Sequence, residues 1–347
     1  MSHFRIPKSS IPAAITHCCQ VIQNNGYEAL IVGGAVRDSL LQRPIQDYDL
    51  ATNAPLSYLS QTFDTFNVGA VYGTLGLRLD SQVCQITQFR QDGPYSNSRQ
   101  PDYVVKTQSI ETDLSRRDFT INALAYDPVN HKGYDFHQGL SDLQHRRLRT
   151  VGDPRTRFQE DHLRILRAYR FMSQLGVTCD PDTQHAIRQV IKDFNAPSIE
   201  RIGHELHRLI HGPAANVALR AMQDDGVLIA VLGPQQWPEF DEVLTLDPAQ
   251  KMAYILQYVP YSAWRPFNLT KKETRWVKRL QGHQLNVTRA RMRPSDLAIS
   301  TDALLAMGFH GPELGAVQRS LMDAVAINPS QNNAEDLRSL IKHQFQR

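Results

Sequence analysis

Asp47 and Asp49 stand two residues apart, shortly after the adjacent pair Gly33 and Gly34. On an extended chain residues at i and i+2 share a face, so these carboxylates can serve one site. Hard divalent cations such as Mg²⁺ suit such a pair, completed by phosphate oxygens and water. A Gly pair lets a phosphate approach the backbone, and a helix starting there offers free N–H groups and a positive dipole end. Arg37 adds a charged fork. Singly these features are ordinary, since a Gly-Gly turn is often only a turn and Asp-x-Asp often a solvated strand end. Together they point to phosphate and metal chemistry.

Two arginine-rich segments follow. In Arg116-Arg117-Asp118-Phe119-Thr120-Ile121-Asn122-Ala123, the arginines offer donors for phosphate oxygens and the aspartate an acceptor for a sugar hydroxyl. A surface ion-pair cluster would look the same. In Glu160-Asp161-His162-Leu163-Arg164-Ile165-Leu166-Arg167-Ala168-Tyr169-Arg170-Phe171, the periodicity predicts one helix with Asp161, Arg164, Arg167 and Arg170 on a drifting stripe. Ile165, Leu166, Tyr169 and Phe171 would pack its other side, and a solvated charged face is the competing account.

These residues need a scaffold. Ile11, Ile15, Cys18 and Ile22 recur at helical spacing after Pro12 and before Gly26. Ala29 to Val32 reads as a buried strand running into the Gly pair, and Ala35 to Gln42 as a short helix stopped near Pro44. Strands are expected at Tyr48 to Ala51, Leu75 to Leu79 and Val83 to Phe89, the last two joined at Asp80-Ser81. Beyond Val151-Gly152-Asp153-Pro154 the pattern is helical, with joints at residues 195–198, 232–234 and 261–266.

The 347 residues are 41% hydrophobic and 21% charged. That excludes a disordered or fibrous chain and gives length for two or three packed units. The cysteines Cys18, Cys19, Cys84 and Cys179 have neither zinc-site spacing nor disulfide density, so structural thiols are expected. No apolar run is long enough to span a bilayer and no leader pattern opens the chain, so the expected location is cytoplasmic, without membrane contact. Net charge is only +3, but Arg265, Lys271, Lys272, Arg275, Lys278, Arg279, Arg289, Arg291 and Arg293 face a single acid, Glu273, for a local balance of +8. With Trp264 and Trp276 nearby, this reads as a phosphate track for RNA or as a solvated basic helix.

The run LIVGGAVRDSLLQRPIQDYDLATNA resembles the catalytic motif of class II tRNA nucleotidyltransferases and the related bacterial poly(A) polymerases, in the DNA polymerase beta superfamily. Further motifs follow in that family's order: Gly73-Thr74, Phe89-Arg90, Tyr95 with Arg99 and Pro101, then the two arginine-rich segments. The likeness is close over residues 28–210. It implies an α+β chain, with a mixed α/β nucleotidyltransferase head over residues 1–140 and an all-helical remainder. That remainder comprises a neck with a base-recognition helix over 141–197 and an RNA-binding body and tail over 198–347.

The resemblance further implies transfer from CTP and ATP to the 3′ end of tRNA, completing its CCA terminus and releasing pyrophosphate. Asp47 and Asp49 would be catalytic metal ligands, with Mg²⁺ in a two-metal site, and Gly33, Gly34, Arg37, Arg117, Asp118, Asn122, Arg167 and Arg170 would bind the nucleotide. Asp161 and Arg164 would read its base. Cytosine and adenine each set an amino donor beside an unprotonated ring nitrogen, matching a carboxylate acceptor and a guanidinium donor; uracil and guanine reverse that order. The resemblance places the acceptor end of tRNA in the head and its elbow on the helical body and tail, where the basic stretch offers Lys271, Lys272, Arg275, Lys278 and Arg279 as RNA contacts. No obligate protein partner is indicated.

Some positions depart from the family pattern. Gln85 stands where a glutamate is common, which removes a third acidic ligand or base, and Asn97 where an aspartate is frequent. Residues 68–75 lack the basic stretch usual in the poly(A) polymerases and resemble the tRNA enzymes instead, and the Phe89 to Pro101 segment resembles their flexible loop associated with the final A addition, which favours full CCA addition over CC addition alone and leaves A-only addition as an alternative. There is no His-Asp dipeptide, so no phosphohydrolase domain is expected. An RNA-binding relative with weakened catalysis is the non-enzymatic alternative.

Overall fold

The computed structural model describes residues 4–6, 11–80, 82–95, 101–233, 237–259, 267, 269–291, 293–327 and 332–345. The chain divides into two compact units, Met1–Val231 and Leu232–Arg347. The expected divisions at residues 140 and 197 both fall inside the first unit.

In the first unit, α1 (Ala13–Asn24) leads to β1 (Ala29–Val32), α2 (Gly34–Leu40), β2 (Asp49–Thr52), α3 (Leu56–Thr62), β3 (Thr65–Gly69), β4 (Thr74–Leu79) and β5 (Gln82–Gln88). Next come the short strands β6 (Arg90–Asp92) and β7 (Val104–Lys106), then α4 (Ile110–Ser115), β8 (Leu124–Asp127) and β9 (Lys132–Asp135). One seven-stranded sheet has the order β3-β4-β5-β2-β1-β8-β9. Its pairs are antiparallel except β2 with β5, where Asp49 is registered against Gln85. All four residues of β1 are buried, which explains their unbroken apolar run in a strand covered on both faces. Ile15, Cys18, Cys19 and Ile22 form the buried stripe of α1. Burial pushes the Cys18 and Cys84 thiols up to about 12, consistent with packing rather than reactive thiols.

The rest of the unit is helical apart from a two-stranded parallel ribbon: α5 (Gly139–Gln144), β10 (Arg147–Leu148), α6 (Pro154–Glu160), α7 (Leu163–Leu175), β11 (Thr178–Cys179), α8 (Pro181–Val190), α9 (Ile199–Ile210), α10 (Ala215–Asp224) and α11 (Val227–Leu232). The expected single helix through residues 160–171 is two helices. Asp161 adopts an extended backbone (φ −151°, ψ 105°), and its Oδ1 accepts the Leu163 N–H at 3.0 Å. That contact starts α7 afresh, as a side-chain acceptor does at any helix entrance. The helix is then fixed from its far side. Tyr169 Oη donates to Asp225 Oδ2 at 2.7 Å and Ser173 Oγ to the Leu209 carbonyl at 2.5 Å.

The second unit contains α12 (Pro248–Leu256), α13 (Lys271–Arg291), α14 (Thr301–Ala306), α15 (Gly311–Ile327) and α16 (Ala334–Phe345). Gln281 Nε2 ties α13 to the end of α12 through the carbonyls of Leu256 (3.3 Å) and Val259 (2.7 Å). A separate core gathers Leu304, Phe309, Val317, Leu321, Leu337 and Ile341.

Candidate active site

The first unit holds a cavity of about 730 Å³ whose walls come from the Gly33 turn and α2, the segment entering β2, residues 116–122, α7 and α9. Asp49 is the first residue of β2 and Asp47 lies just before the strand, yet both line this cavity. Both are solvent-accessible there, and neither carboxylate has a hydrogen-bond or ion-pair partner among the described residues. Surrounding protein pushes the pKa of Asp49 up, Arg117 opposes this and Asp47 adds to it. Two adjacent free carboxylates fit a hard divalent cation. Among the described residues no three His, Cys, Asp or Glu are grouped to hold one, so the remaining ligands would be water and phosphate oxygens.

Gly33 has φ +73°, and a Cβ there would lie 2.8 Å from Arg117 Nη1. Such a φ favours glycine, and the missing Cβ lets a guanidinium lie against the turn's backbone. Arg117 Nη2 contacts Asp113 at 3.5 Å, while its buried Nε has no hydrogen-bond partner. Burial lowers the Arg117 pKa, so an arriving anion would relieve a desolvated charge. Arg37 is more fully engaged, donating to Asp38 at 2.9 and 2.8 Å and to Asn122 Oδ1 at 2.5 Å. Asn122 in turn donates to Asp118 Oδ1 at 3.1 Å, and Arg167 Nε to Asp118 Oδ2 at 2.7 Å. Burial alone would raise the pKa of Asp118, but Arg167, Asn122 and the Phe119 N–H hold it well below the usual carboxylate range.

Asp161 and Arg164 line the same cavity although Asp161 lies outside the helix. Arg201 of α9 binds Asp161 Oδ2 at 2.8 Å; Arg164 Nη1 pairs with Glu160 and donates to the Arg157 carbonyl at 3.0 Å. Arg170 is buried against Glu205 Oε2 at 2.5 Å, and burial draws its pKa down to about 10, with Glu205 opposing and Arg167 and Arg208 adding to the fall. All twelve residues expected at the nucleotide and metal site thus meet in one cavity.

Sequence reasoning missed Glu160, Arg201 and Glu205. Glu160 was visible as the i−4 partner of Arg164, whereas Arg201 and Glu205 come from a helix placed only by tertiary packing. A second cavity of about 400 Å³ shares Arg116 and Arg164 with the first and is lined also by Gln85, Arg90 and Tyr95. Tyr95 lies under Arg164 at 5.7 Å from ring centroid to guanidinium. Arg99 and Asn97 lie outside the described residues.

In the second unit Lys271, Lys272, Arg275, Lys278 and Arg279 are all exposed on α13, with Arg279 over the Trp276 ring at 5.0 Å. Glu273, the sole acid of the stretch, is buried and accepts from Thr270 N and Oγ1 at 2.7 Å each. Its charge is turned inward. Trp264 and Arg265 lie outside the described residues, as do the side chains of Arg289 and Arg291.

A mixed sheet whose central strand begins at Asp49, with Asp47 just before it, beside a Gly-Gly turn and an arginine-lined cavity, is the arrangement expected of a nucleotidyltransferase head. The family described as the poly A polymerase head domain matches residues 29–149, and that described as the probable RNA and SrmB-binding site of polymerase A matches residues 176–243. The chain is 42% identical over 204 residues to the CCA-adding enzyme of Staphylococcus epidermidis, covering 58% of this chain and 51% of that protein. It is 41% identical over 214 residues to that of Geobacillus stearothermophilus, covering 60% and 52%. The match thus spans about half the length of these curated relatives.

Among solved structures, the Bacillus stearothermophilus CCA-adding enzyme in complex with CTP aligns over 97% of this chain and 99% of its own, with TM-score 0.56 and 25% identity. The Thermotoga maritima CCA-adding enzyme complexed with tRNA aligns over 99% of each chain with TM-score 0.65, and at 15% identity it shares the fold. Residues 29–149 and 176–243 thus match families described from polymerase A, and over the lengths given the chain is similar to CCA-adding enzymes.

Proposed function

We propose that this protein transfers nucleotidyl groups from CTP and ATP to the 3′ end of tRNA, adding or repairing the CCA terminus without a template and releasing pyrophosphate. The observation that carries this reading is the convergence of the carboxylate pair, the Gly-Gly turn and both arginine-rich segments on one cavity. Relatives named as CCA-adding enzymes support the choice of reaction.

In this reading Arg117 and Arg37 hold the phosphate chain, the Asp118, Asn122 and Arg167 cluster holds the ribose, and Asp161 with Arg164 reads the base. Arg170 braces α7 against α9 through Glu205. The RNA 3′ hydroxyl attacks the α-phosphorus, the bond to the β-phosphate oxygen breaks, and the hydroxyl proton leaves to solvent. Asp47 and Asp49 would hold Mg²⁺, which when bound, as one or two ions, lowers the pKa of the attacking hydroxyl and offsets charge on the leaving group. The exposed basic face of α13 is the proposed tRNA contact, gripping backbone rather than sequence.

The test supplies Mg²⁺ and tRNAs ending before CCA, after C and after CC, with CTP and ATP separately and together. C residues from CTP and a single terminal A from ATP are expected. Long A tails on unrelated RNA would replace this reading with poly(A) polymerase, A-only or CC-only extension would narrow it, and binding without extension would leave an RNA-binding protein.

Gln85 supplies a separate expectation, because its position beside Asp49 in the β2–β5 register puts a neutral amide next to the carboxylate pair. Gln85→Glu adds an anionic ligand, so Mn²⁺ should bind at least about tenfold more tightly, the fold-change equivalent to about 1.4 kcal/mol, as read by spin-resonance titration without nucleotide. Unchanged Mn²⁺ affinity would place residue 85 outside the metal's reach.

A further inference from the structure

Three guanidiniums of the cavity share one aromatic neighbour. Arg170 Cζ lies 4.0 Å from the centroid of the Phe171 ring, Arg37 Cζ 5.1 Å and Arg167 Cζ 5.6 Å. They come from different places, Arg37 from α2 and the others from α7; Arg37 pairs with Asp38, Arg167 with Asp118, and Arg170 with Glu205, which Arg167 also approaches at 3.9 Å. Phe171 is 3% exposed and Phe119 meets it edge-on at 5.7 Å, so the ring is held rather than free to follow the arginines.

Like charges drawn around one cavity repel, and although Glu205 lies between Arg167 and Arg170 and Asn122 links Arg37 to Asp118, no one acid among the described residues holds all three cations at once. A fixed ring does. Its π face attracts each guanidinium while its body keeps them from collapsing together or withdrawing. The base-reading Arg164 is not in this set, since its aromatic neighbour is Tyr95.

We propose that Phe171 is a positioning residue that sets the spacing of Arg37, Arg167 and Arg170, and so sets affinity for the phosphate and sugar of either nucleotide without influencing base choice. This rests on the nucleotide reading of the cavity given above. An aliphatic side chain of similar volume would fill the same space, but it would leave the three cations without a shared attractive surface.

The experiment compares the unaltered protein with Phe171→Met, Phe171→Leu and Phe171→Tyr, after thermal melting confirms that each is folded at the assay temperature. Equilibrium binding of CTP and ATP is measured alongside kcat and KM for tRNA extension. Both nonaromatic variants should weaken CTP and ATP alike, by about three- to thirtyfold, the range of one desolvated cation–π contact. Their kcat should change less than threefold, the CTP:UTP ratio should hold, and Phe171→Tyr should restore affinity to within about threefold.

Nucleotide affinity unaltered in folded Phe171→Met or Phe171→Leu would overturn the assignment, and so would a loss that Tyr fails to restore or one confined to a single base. If both nonaromatic variants are unfolded while Tyr is not, Phe171 is a core residue and the assignment falls. Failure of the unaltered protein to bind CTP or ATP would overturn the nucleotide reading itself, whereas tight binding indifferent to Phe171 would overturn only this inference.

Discussion

Asp49→Asn should lower nucleotidyl transfer by at least about a thousandfold while leaving the fold and metal-free CTP binding intact. The substitution preserves shape, and residue 49 is pinned between Val32 of β1 and Gln85 of β5, so the backbone has little reason to move. What changes is charge. The amide cannot replace a carboxylate as a ligand for a hard cation, and several kcal/mol of transition-state stabilisation is worth three or more decades in rate. Asp47→Asn should behave alike. Without metal, each carboxylate repels the incoming triphosphate and its own neighbour, so metal-free CTP affinity should hold or rise. Single-turnover extension, CTP titration in chelator and thermal melting together check this. Transfer within tenfold of the unaltered protein would remove the carboxylate pair from the chemistry, and a collapsed melting transition would make its role structural.

The parts of the site that lie close together in the chain were legible because local physics dictates them. Ala29 to Val32 is a strand buried on every residue, the Gly33 turn needs a positive φ, and Asp47 and Asp49 follow at the entrance of the next strand, Asp47 just before it and Asp49 as its first residue. The break at Asp161 was not legible. No Gly or Pro marks it, and helical periodicity runs from Glu160 through Phe171. The chain breaks there because the Asp161 side chain satisfies the Leu163 N–H and is held by Arg201, which approaches on a helix 40 residues further on. Sheet order was likewise beyond the sequence, since strand pattern says which face is buried but not which strand is the neighbour. The parallel pairing that sets Gln85 beside Asp49 is visible only in the folded chain. The inward-facing Glu273 also eluded sequence reading, which counts it against the basic stretch although its carboxylate is turned into the helix start.

Arg164→Met should lower the preference for CTP over UTP by roughly 10- to 100-fold, with a smaller loss in the rate with CTP itself. The Asp161 and Arg164 pair is held in place before any base arrives, through Arg201 on one side and Glu160 with the Arg157 carbonyl on the other. Holding does not exhaust it. A carboxylate has about four lone-pair positions and a guanidinium five N–H donors, so each retains capacity for one base contact. Cytosine satisfies both, whereas uracil would set its carbonyl against the Asp161 carboxylate and its ring N–H against the Arg164 donors, leaving polar groups unpaired at about 1–3 kcal/mol each. Met keeps the reach and removes the donor, so the penalty against the uracil N–H disappears. Asp161→Asn should relax the choice differently, because a flipped amide presents a donor to the uracil carbonyl. It should also cost stability by leaving the Arg201 guanidinium, whose Nη1 is already buried without a partner, facing a neutral group. Steady-state extension with each of the four nucleotides measures both effects. A CTP:UTP ratio unchanged in both variants would mean that base choice lies elsewhere in the cavity.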